Sequence, residues 1–527
     1  MTAGGGGTAP SQRPVDGPPG WRRQLHWVLL AFLPSSLMLG VTHFVSTDIA
    51  AFPLLWVVPL ALYLLTFVVA FGQPRPRLAL HADRLLPAAV LAVAIAMVTE
   101  VPIPPGLEIG LHLLMFTTVA LGAHGRLAAD RPHPARLTHF YLLVSVGGAL
   151  GGLFNALVAP VVFEQVLEYP LVIVASTLVL LGRHANRVAS RSRPLSQRLF
   201  EAQAVVGVLL LLQQVVVRLG AMAAIVLVGV SLGARAAVAR VARRRPLGFT
   251  IGIALVLASA VPLGTDVLHA ERTFFGVARV EAQGDRRLLV HGTTIHGWQD
   301  RRPDHSALPK SYYDRRGPVG DVFEEYGHRP LADQVALVGL GTGALAAFGR
   351  SGQTLTFYEI DQAIVDIATD PELFTYLRDS AAEIEVVLGD GRLSLRDAPD
   401  DHFGIIVIDG FSSDAIPVHL VTAEAVDLYR SKLRPDGVLV FHVSNRHMDL
   451  EPVLAAIATR QDLSGVVRSD VFDAGLGEVT WVALAEDHQS LAPLIRDPRW
   501  RRLVTEPGEE PVWTDDFSNV VQVIRWR

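Results

Sequence analysis

The sequence predicts a multi-pass α-helical membrane domain followed by an α/β domain of Rossmann type, with a small β-hairpin subdomain between them. Three observations predict it. Long apolar runs follow one another before residue 265. From residue 334 the pattern changes to short β-rich runs alternating with helix-like segments, the mark of a parallel doubly wound sheet. Glycines and acids then recur at the C-terminal ends of those runs, where open α/β sheets bind ligands.

Composition sets the outer bounds. The 527 residues are 50% hydrophobic and 18% charged, whereas a soluble domain carries about a quarter charged residues. A net charge of −5 gives no reason to expect a nucleic-acid partner. The absence of cysteine excludes disulfides, thiolate metal sites and cysteine nucleophiles.

Residues 1–20 are rich in Gly and Pro and lack the basic-then-apolar order of a secretory signal, so they read as a disordered leader. Apolar runs follow near 25–45, 50–71, 85–99, 108–123, 140–162, 169–182, 202–217, 220–234 and 249–264. Several approach the ~20 residues a helix needs to cross the hydrocarbon. Residues 21–265 are therefore expected to form a transmembrane domain of eight or nine helices. Arg-rich loops, such as Arg75 to Arg84, Arg126 to Arg136 and Arg235 to Arg245, occupy every second connection. The positive-inside bias places them and the N-terminus in the cytoplasm. Nine spans would then carry the C-terminal half outside and eight would leave it inside, with Arg218–Gly220 the connection most easily lost. Gly147, Gly148, Gly151 and Gly152 suggest close helix packing. Asp48 and His43 lie near a membrane end, and no ionisable pathway is expected within the spans.

Residues 273–299 read as a β-hairpin turning at Gly284-Asp285, which makes 270–330 a small β-subdomain. Residues 331–490 form the Rossmann-type domain, with strands at 334–339, 354–360, 384–389, 403–409 and 437–443. Helices are expected near 342–349, 362–368, 391–397, 422–433 and 449–460. Residues 491–527 are a C-terminal extension.

The chemistry lies at the strand ends. Gly339, Gly341 and Gly343, with Leu340 and Thr342 between them, leave the first strand and open a helix, where a tight turn and free N–H groups can cradle a ligand. Glu359 ends the next strand, twenty residues after Gly339, where an acid can accept hydrogen bonds from both ribose hydroxyls. Gly389-Asp390-Gly391 ends the third, placed for an adenine amino group. The spacing of the glycines suits adenosyl donors better than dinucleotides. Asp409 and Asp414 share the loop after the fourth strand, where they could hold a cationic amine and take its proton, or merely shape an Asx turn and cap a helix. His291 and His296, five residues apart on a strand, are expected to face opposite sides, so no metal site is expected. No Ser-His-Asp set stands out.

On these residues the segment 275–445 resembles the spermidine synthase (polyamine aminopropyltransferase) family, and the whole chain resembles its bacterial membrane-fused form. The resemblance implies a class I AdoMet-dependent transferase-like fold. It assigns the glycine motif to Gly339–Gly343, the ribose acid to Glu359, the adenine contact to Asp390 and Gly391, and the catalytic proton acceptor to Asp409. Gln299, Tyr312 and Tyr313 resemble the glutamine and tyrosine that line the family's pocket. Thr47-Asp48-Ile49-Ala50, Glu168-Tyr169-Pro170 and the late Thr514-Asp515-Asp516-Phe517-Ser518-Asn519 look like segments of the fused form. Two departures stand out: Thr342 occupies the place of a family Asp that pairs with the donor's ammonium, and the second loop acid has moved to Asp414.

The implied activity moves an aminopropyl group from decarboxylated S-adenosylmethionine to a polyamine-like amine, with no permanently bound cofactor and no metal. The lipid bilayer would be its other partner. The resemblance implies a multi-pass protein of the bacterial cell membrane, and such a donor is made in the cytoplasm, so the C-terminal domain is expected to face that side. An S-adenosylmethionine-dependent methyltransferase or alkyltransferase, and a membrane transporter or sensor that binds nucleoside without turnover, are the alternatives.

Overall fold

A computed structural model describes residues 19–46, 54–72, 77–98, 103–163, 166–181, 266–292, 294–411, 416–445, 448–471, 478–505 and 512–525. The runs expected at 202–217, 220–234 and 249–264 lie outside these residues, as do Asp48, Asp414 and most of the leader. The chain divides into two compact units, one built mainly on the helices up to Leu181 and the other mainly on the segment from Asp266.

Helices α1 (Trp21–Phe44), α2 (Val57–Gly72), α3 (Arg77–Val98), α4 (Pro105–Ala129), α5 (Leu137–Leu153), α6 (Ala159–Val162) and α7 (Glu168–Leu181) account for six of the apolar runs, and all but Phe44 and most of α6 belong to the first unit. Among the described residues three helices are long and apolar enough to cross a membrane: Trp21–Phe44, Pro105–Ala129 and the continuous stretch Pro134–Val162. Leu64, Leu65 and Val68 on α2, and Leu142 and Leu150 on α5, stand exposed. An apolar surface of that kind is costly in water and costs nothing in hydrocarbon.

The glycine cluster divides in two. Gly147 and Gly151 lie against the backbone of α1 at Val28 and Phe32, where a side chain would strike carbonyl oxygens, whereas Gly152 faces open space. Ser35 Oγ donates to the Gly148 carbonyl (2.8 Å) and Asn155 Nδ2 to Ser36 Oγ (2.5 Å), which adds polar links along the same seam. Inside the unit, His112 Nδ1 lies 2.6 Å from the Tyr169 hydroxyl and His124 Nδ1 3.1 Å from Thr66 Oγ1. Both histidines are buried, and each is bonded to a neighbouring helix.

The second unit contains two sheets. β1 (Asp266–Thr273), β2 (Gly276–Gln283), β3 (Arg286–His291) and β4 (Thr294–Asp300) form a four-stranded antiparallel meander. The two-residue turn between β2 and β3 is Gly284-Asp285, with Gly284 at φ +60°, the left-handed backbone that a tight hairpin turn needs.

The larger sheet holds β5 (Gln334–Val338), β6 (Thr354–Glu359), β7 (Glu383–Leu388), β8 (Phe403–Ile408), β9 (Leu433–His442), β10 (Ser464–Asp470), β11 (Val479–Ala485) and the short β12 (Arg501–Arg502). Its order is β12-β10-β11-β9-β8-β5-β6-β7. β5 to β9 are mutually parallel, and β10 to β12 add antiparallel strands at one edge. The five parallel strands match the sequence expectation within a few residues. β10 and β11 were not anticipated.

Strands buried on both faces must be apolar throughout, and every residue of β8 is buried. Alternate residues of β5 feed opposite cores: Val335 and Leu337 pack with Phe357 and Trp481, Ala336 and Val338 with Ile406 and Phe441. Helices α8 (Pro318–Glu325), α9 (Gln362–Thr369), α10 (Gly391–Arg396), α11 (Ala423–Lys432) and α12 (Glu451–Arg460) flank the strands. The chain order reverses between β5 and β8, and that switch point positions the site.

Candidate active site

The C-terminal ends of β5 to β9 and the face of the four-stranded sheet enclose a cavity of about 650 Å3. At its floor, Gly339 (φ +98°) brings its backbone so close to the Asp409 carbonyl that a Cβ would collide with it. Gly341 (φ +54°) continues the turn and also lines the cavity. Gly343 and Thr342 do not line it. Gly343 sits under Leu377, and the Thr342 side chain is buried against Gly297 of β4 with no hydrogen-bond partner for its hydroxyl.

Glu359 ends β6 on the cavity wall, nine-tenths buried. Its carboxylate accepts the backbone N–H groups of Leu340 (3.0 Å), Ile360 (2.8 Å) and Asp361 (2.9 Å). A carboxylate offers about four lone-pair sites. One of these holds the glycine turn through Leu340 and two are taken by the backbone just past β6 at Ile360 and Asp361, which leaves one more among the described residues. Burial pushes this carboxyl above its usual value, against the opposing pull of those three N–H groups.

Asp390 lines the cavity and N-caps α10, accepting from Leu393 N (2.9 Å), while its other oxygen faces His419 Nε2 at 3.2 Å. Asp361, next to Glu359, caps α9 and accepts from the Thr273 hydroxyl of β1 (2.7 Å). That bond ties the hairpin sheet to the Rossmann sheet.

Asp409 stands at the end of β8. The Tyr313 hydroxyl donates to its Oδ2 (2.7 Å), and His442 Nδ1 lies 2.6 Å from its Oδ1. Both the aspartate and the histidine are almost fully buried, 6% and 4% exposed, yet both edge the cavity. Burial first, then the charge of Asp409, pushes the Tyr313 phenol well above its usual value, so it remains a donor. Tyr312 lines the same wall, its ring 5.2 Å from that of His442. Ser444 Oγ lies 2.7 Å from His442 Nε2, so Ser444, His442 and Asp409 form a hydrogen-bonded row. No such set was legible beforehand, because its members come from two strand ends that are adjacent only in the sheet.

Gln299 is fully buried but does not line the cavity. Its amide donates to the Ser306 carbonyl and to Thr375 Oγ1 (both 2.8 Å) and accepts from Thr375 N (2.9 Å). It staples β4 to the segment beyond α9. His291 and His296 are also placed differently from the expectation. The chain turns between them, His291 ending β3 and His296 lying in β4, so both line the cavity with ring centroids 5.7 Å apart. Burial lowers the His291 pKa. Among the described residues no cluster of metal-ligating groups occurs.

The late acidic motif packs beside Asp390. Asp515 accepts from Arg392 through both oxygens (2.7 and 2.8 Å) and from the Thr422 hydroxyl (2.7 Å), while Arg392 also donates to the His419 carbonyl. The bonds to Arg392 hold the Asp515 carboxyl below the usual range. Arg525 and Glu478, which face each other at 3.8 Å, close the far end of the cavity. His442 could have been found in the sequence by applying to the fifth parallel strand the strand-end rule that picked out Glu359 and Asp409. Nothing in the sequence pointed to Glu478 or Arg525.

No family model matches the chain. A probable polyamine aminopropyl transferase of Bifidobacterium longum (strain NCC 2705) is 26% identical over 183 residues, covering 34% of this chain and 38% of that protein. The chain therefore spans well under half the length of that relative. The resemblance anticipated from the motifs is thus met in a direct sequence comparison. Among solved structures, a probable spermidine synthase from Corynebacterium glutamicum ATCC 13032 shares 15% identity over 46% of this chain and 91% of that one, with a TM-score of 0.34. For spermidine synthase from Thermotoga maritima the values are 14%, 49%, 85% and 0.34. For the O-methyltransferase TomG from Streptomyces achromogenes they are 17%, 34%, 82% and 0.26.

The placement of Gln299 has a measurable consequence. Gln299→Ala leaves the Thr375 N–H buried without an acceptor, which should cost about 1–3 kcal/mol. Thermal unfolding should move down accordingly. Unchanged stability together with weakened ligand binding would put the amide in the cavity instead.

Proposed function

We propose that this chain is a membrane-anchored transferase of the polyamine aminopropyltransferase type, acting on decarboxylated S-adenosylmethionine and an amine acceptor. The observation that carries the reading is the Asp409 carboxylate, presented to the cavity between Tyr313 and His442. The other charged groups around it are mainly acidic: Glu359, Asp361, Asp390 and Glu478 against Arg525. Such a cleft concentrates cations, and both a sulfonium donor and an ammonium-bearing acceptor are cations.

The glycine turn at Gly339–Gly343, the remaining lone pair of Glu359, and Asp390 with Gly391 would hold the nucleoside. Tyr312 and Tyr313 would line the acceptor side, with Asp414 as a second carboxylate for the amine. The acceptor nitrogen then attacks the methylene carbon next to the sulfonium. The carbon–sulfur bond breaks with its electron pair passing to sulfur, which leaves neutral methylthioadenosine, and the nitrogen's proton goes to Asp409. Positioning supplies most of the rate, since the sulfonium is already an activated leaving group.

One observation favours a second reading. Thr342 is neutral and lies off the cavity, so no acid at that position repels the carboxylate of ordinary S-adenosylmethionine. Methyl or alkyl transfer from that donor is the alternative, and its product separates the two.

The test uses the purified full-length protein with putrescine and each donor, and products resolved by mass spectrometry. Methylthioadenosine from the decarboxylated donor is expected. Asp409→Asn should slow its formation by about a hundredfold or more while donor affinity changes little. S-adenosylhomocysteine from the ordinary donor would select the methyltransferase reading, and normal turnover by Asp409→Asn would remove Asp409 as the base.

Glu359 gives a pH test. Ribose hydroxyls donate to the ionised carboxylate, and this carboxyl's pKa is raised above the ordinary 4.5. Donor affinity should therefore fall as pH drops, at a higher pH than an ordinary glutamate would allow. Glu359→Gln should flatten that dependence at reduced affinity. A pH-independent affinity in the wild-type protein would place the ribose elsewhere.

The anchoring helices are proposed to be part of a multi-pass domain in the bacterial cell membrane, with residues 270–527 facing the cytoplasm, where the donor is made. The cysteine-free chain makes the test clean. A cysteine at Ser306 should resist an impermeant thiol reagent in intact cells and react after lysis. Ready labelling in intact cells would place the domain outside and remove its donor supply.

A further inference from the structure

We propose that His442 is a positioning residue that orients the Asp409 carboxylate, and that Ser444 and the Thr480 backbone hold His442 in the state that can do so. This rests on the reading of Asp409 as the base. One partner in the row cannot reverse its role. The Thr480 backbone N–H can only donate, and it lies 2.9 Å from Ser444 Oγ. With that lone pair occupied, Ser444 has one hydroxyl proton and one further lone pair, and its neighbour at 2.7 Å is His442 Nε2.

Two arrangements satisfy both sides. Ser444 donates to a neutral ring that carries its proton on Nδ1, or it accepts from an imidazolium. In both, His442 Nδ1–H donates to Asp409 Oδ1 across 2.6 Å. The neutral ring with its proton on Nε2 is excluded for a different reason. It would set the bare Nδ1 lone pair against the carboxylate at that distance, both of them nearly buried.

The ring plane is fixed independently. Trp481 stacks on it with centroids 4.4 Å apart and planes 9° from parallel, and Phe411 meets it at 4.8 Å and 62°. Tyr313 fixes the other carboxylate oxygen. Among the described residues Asp409 therefore has one donor on each oxygen, and its remaining lone pairs can take the acceptor's proton. Asp409 moves the proton; His442 sets where the receiving oxygen stands, and a misplacement of about 1 Å at such a centre costs on the order of a hundredfold in rate.

The row has the hydrogen-bond order of a hydrolase triad, so the test includes a probe for a nucleophilic serine. Nitrogen-15 NMR of the full-length protein labelled at histidine, with His442→Asn used for assignment, needs neither donor nor acceptor. His442 is expected with a protonated Nδ1. A neutral ring protonated on Nε2 would overturn the proposal, whatever reaction the protein catalyses. In the methylthioadenosine assay, His442→Ala should lower kcat about a hundredfold with little change in donor KM. His442→Asn, whose amide nitrogen stands close to the place of Nδ1, should recover a substantial part of that loss. Equal losses in both variants, or losses in KM alone, would reduce His442 to a packing residue. Covalent labelling of Ser444 by a fluorophosphonate would make the serine the reacting group and overturn the assignment. If the wild-type protein forms no methylthioadenosine while Nδ1 is protonated, the aminopropyl reading fails and the ring's role as a donor to Asp409 stands.

Discussion

A nearly buried carboxylate needs donors, and the placement of Asp409 organises the second unit around that need. An unpaired ion there would carry a desolvation cost of several kcal/mol. The donors come from separate parts of the chain: Tyr313 follows the four-stranded sheet, and His442 ends β9. Meeting both requires that the hairpin sheet dock over the strand ends and that β8 and β9 run parallel in register, Ile408 beside Phe441. The close approach of Gly339 to the Asp409 backbone adds a third constraint at the same point. Fold and site are therefore one problem, solved where β5, β8 and β9 end.

Much of this was legible in the sequence. Parallel strands buried on both faces read as apolar runs, so β5 to β9 could be placed within a few residues, and the rule that ligands lie at strand ends picked out Glu359, Asp390 and Asp409. The edge strands β10 and β11 were missed, although Val479–Ala485 is buried throughout. What the sequence could not supply was the use to which each polar side chain is put. Gln299 resembles a pocket residue by its motif, yet its three hydrogen bonds go to the chain around Ser306 and Thr375. Glu359 was read as a ligand acceptor, and three of its lone pairs serve backbone N–H groups, one in the glycine turn and two just past its own strand. Such allocations depend on which backbone N–H groups tertiary packing brings near, and no local pattern encodes that.

The histidine pair shows the same limit from the other side. Counting residues along an uninterrupted strand puts His291 and His296 on opposite faces. The strand breaks after His291, and β3 and β4 pair with a bulge at Leu289/Val290, so both rings reach the cavity. The acidic motif at Asp515 stood out only by its likeness to a segment of the membrane-fused form. Its clamp on Arg392 and Thr422 braces the first turn of α10 against the N-terminus of α11.

The span of sequence that lines the cavity carries one more consequence. Its wall begins at Phe275 in the hairpin sheet and ends at Arg525. Every intervening strand must find its neighbour before these walls face each other, and closing long loops delays folding more than it weakens the final state. The pocket therefore exists only once those segments have come together. A nucleoside seated there would bridge segments far apart in the chain, and by mass action would stabilise the unit as a whole. Occupancy of the site and the stability of the folded unit are in this way linked.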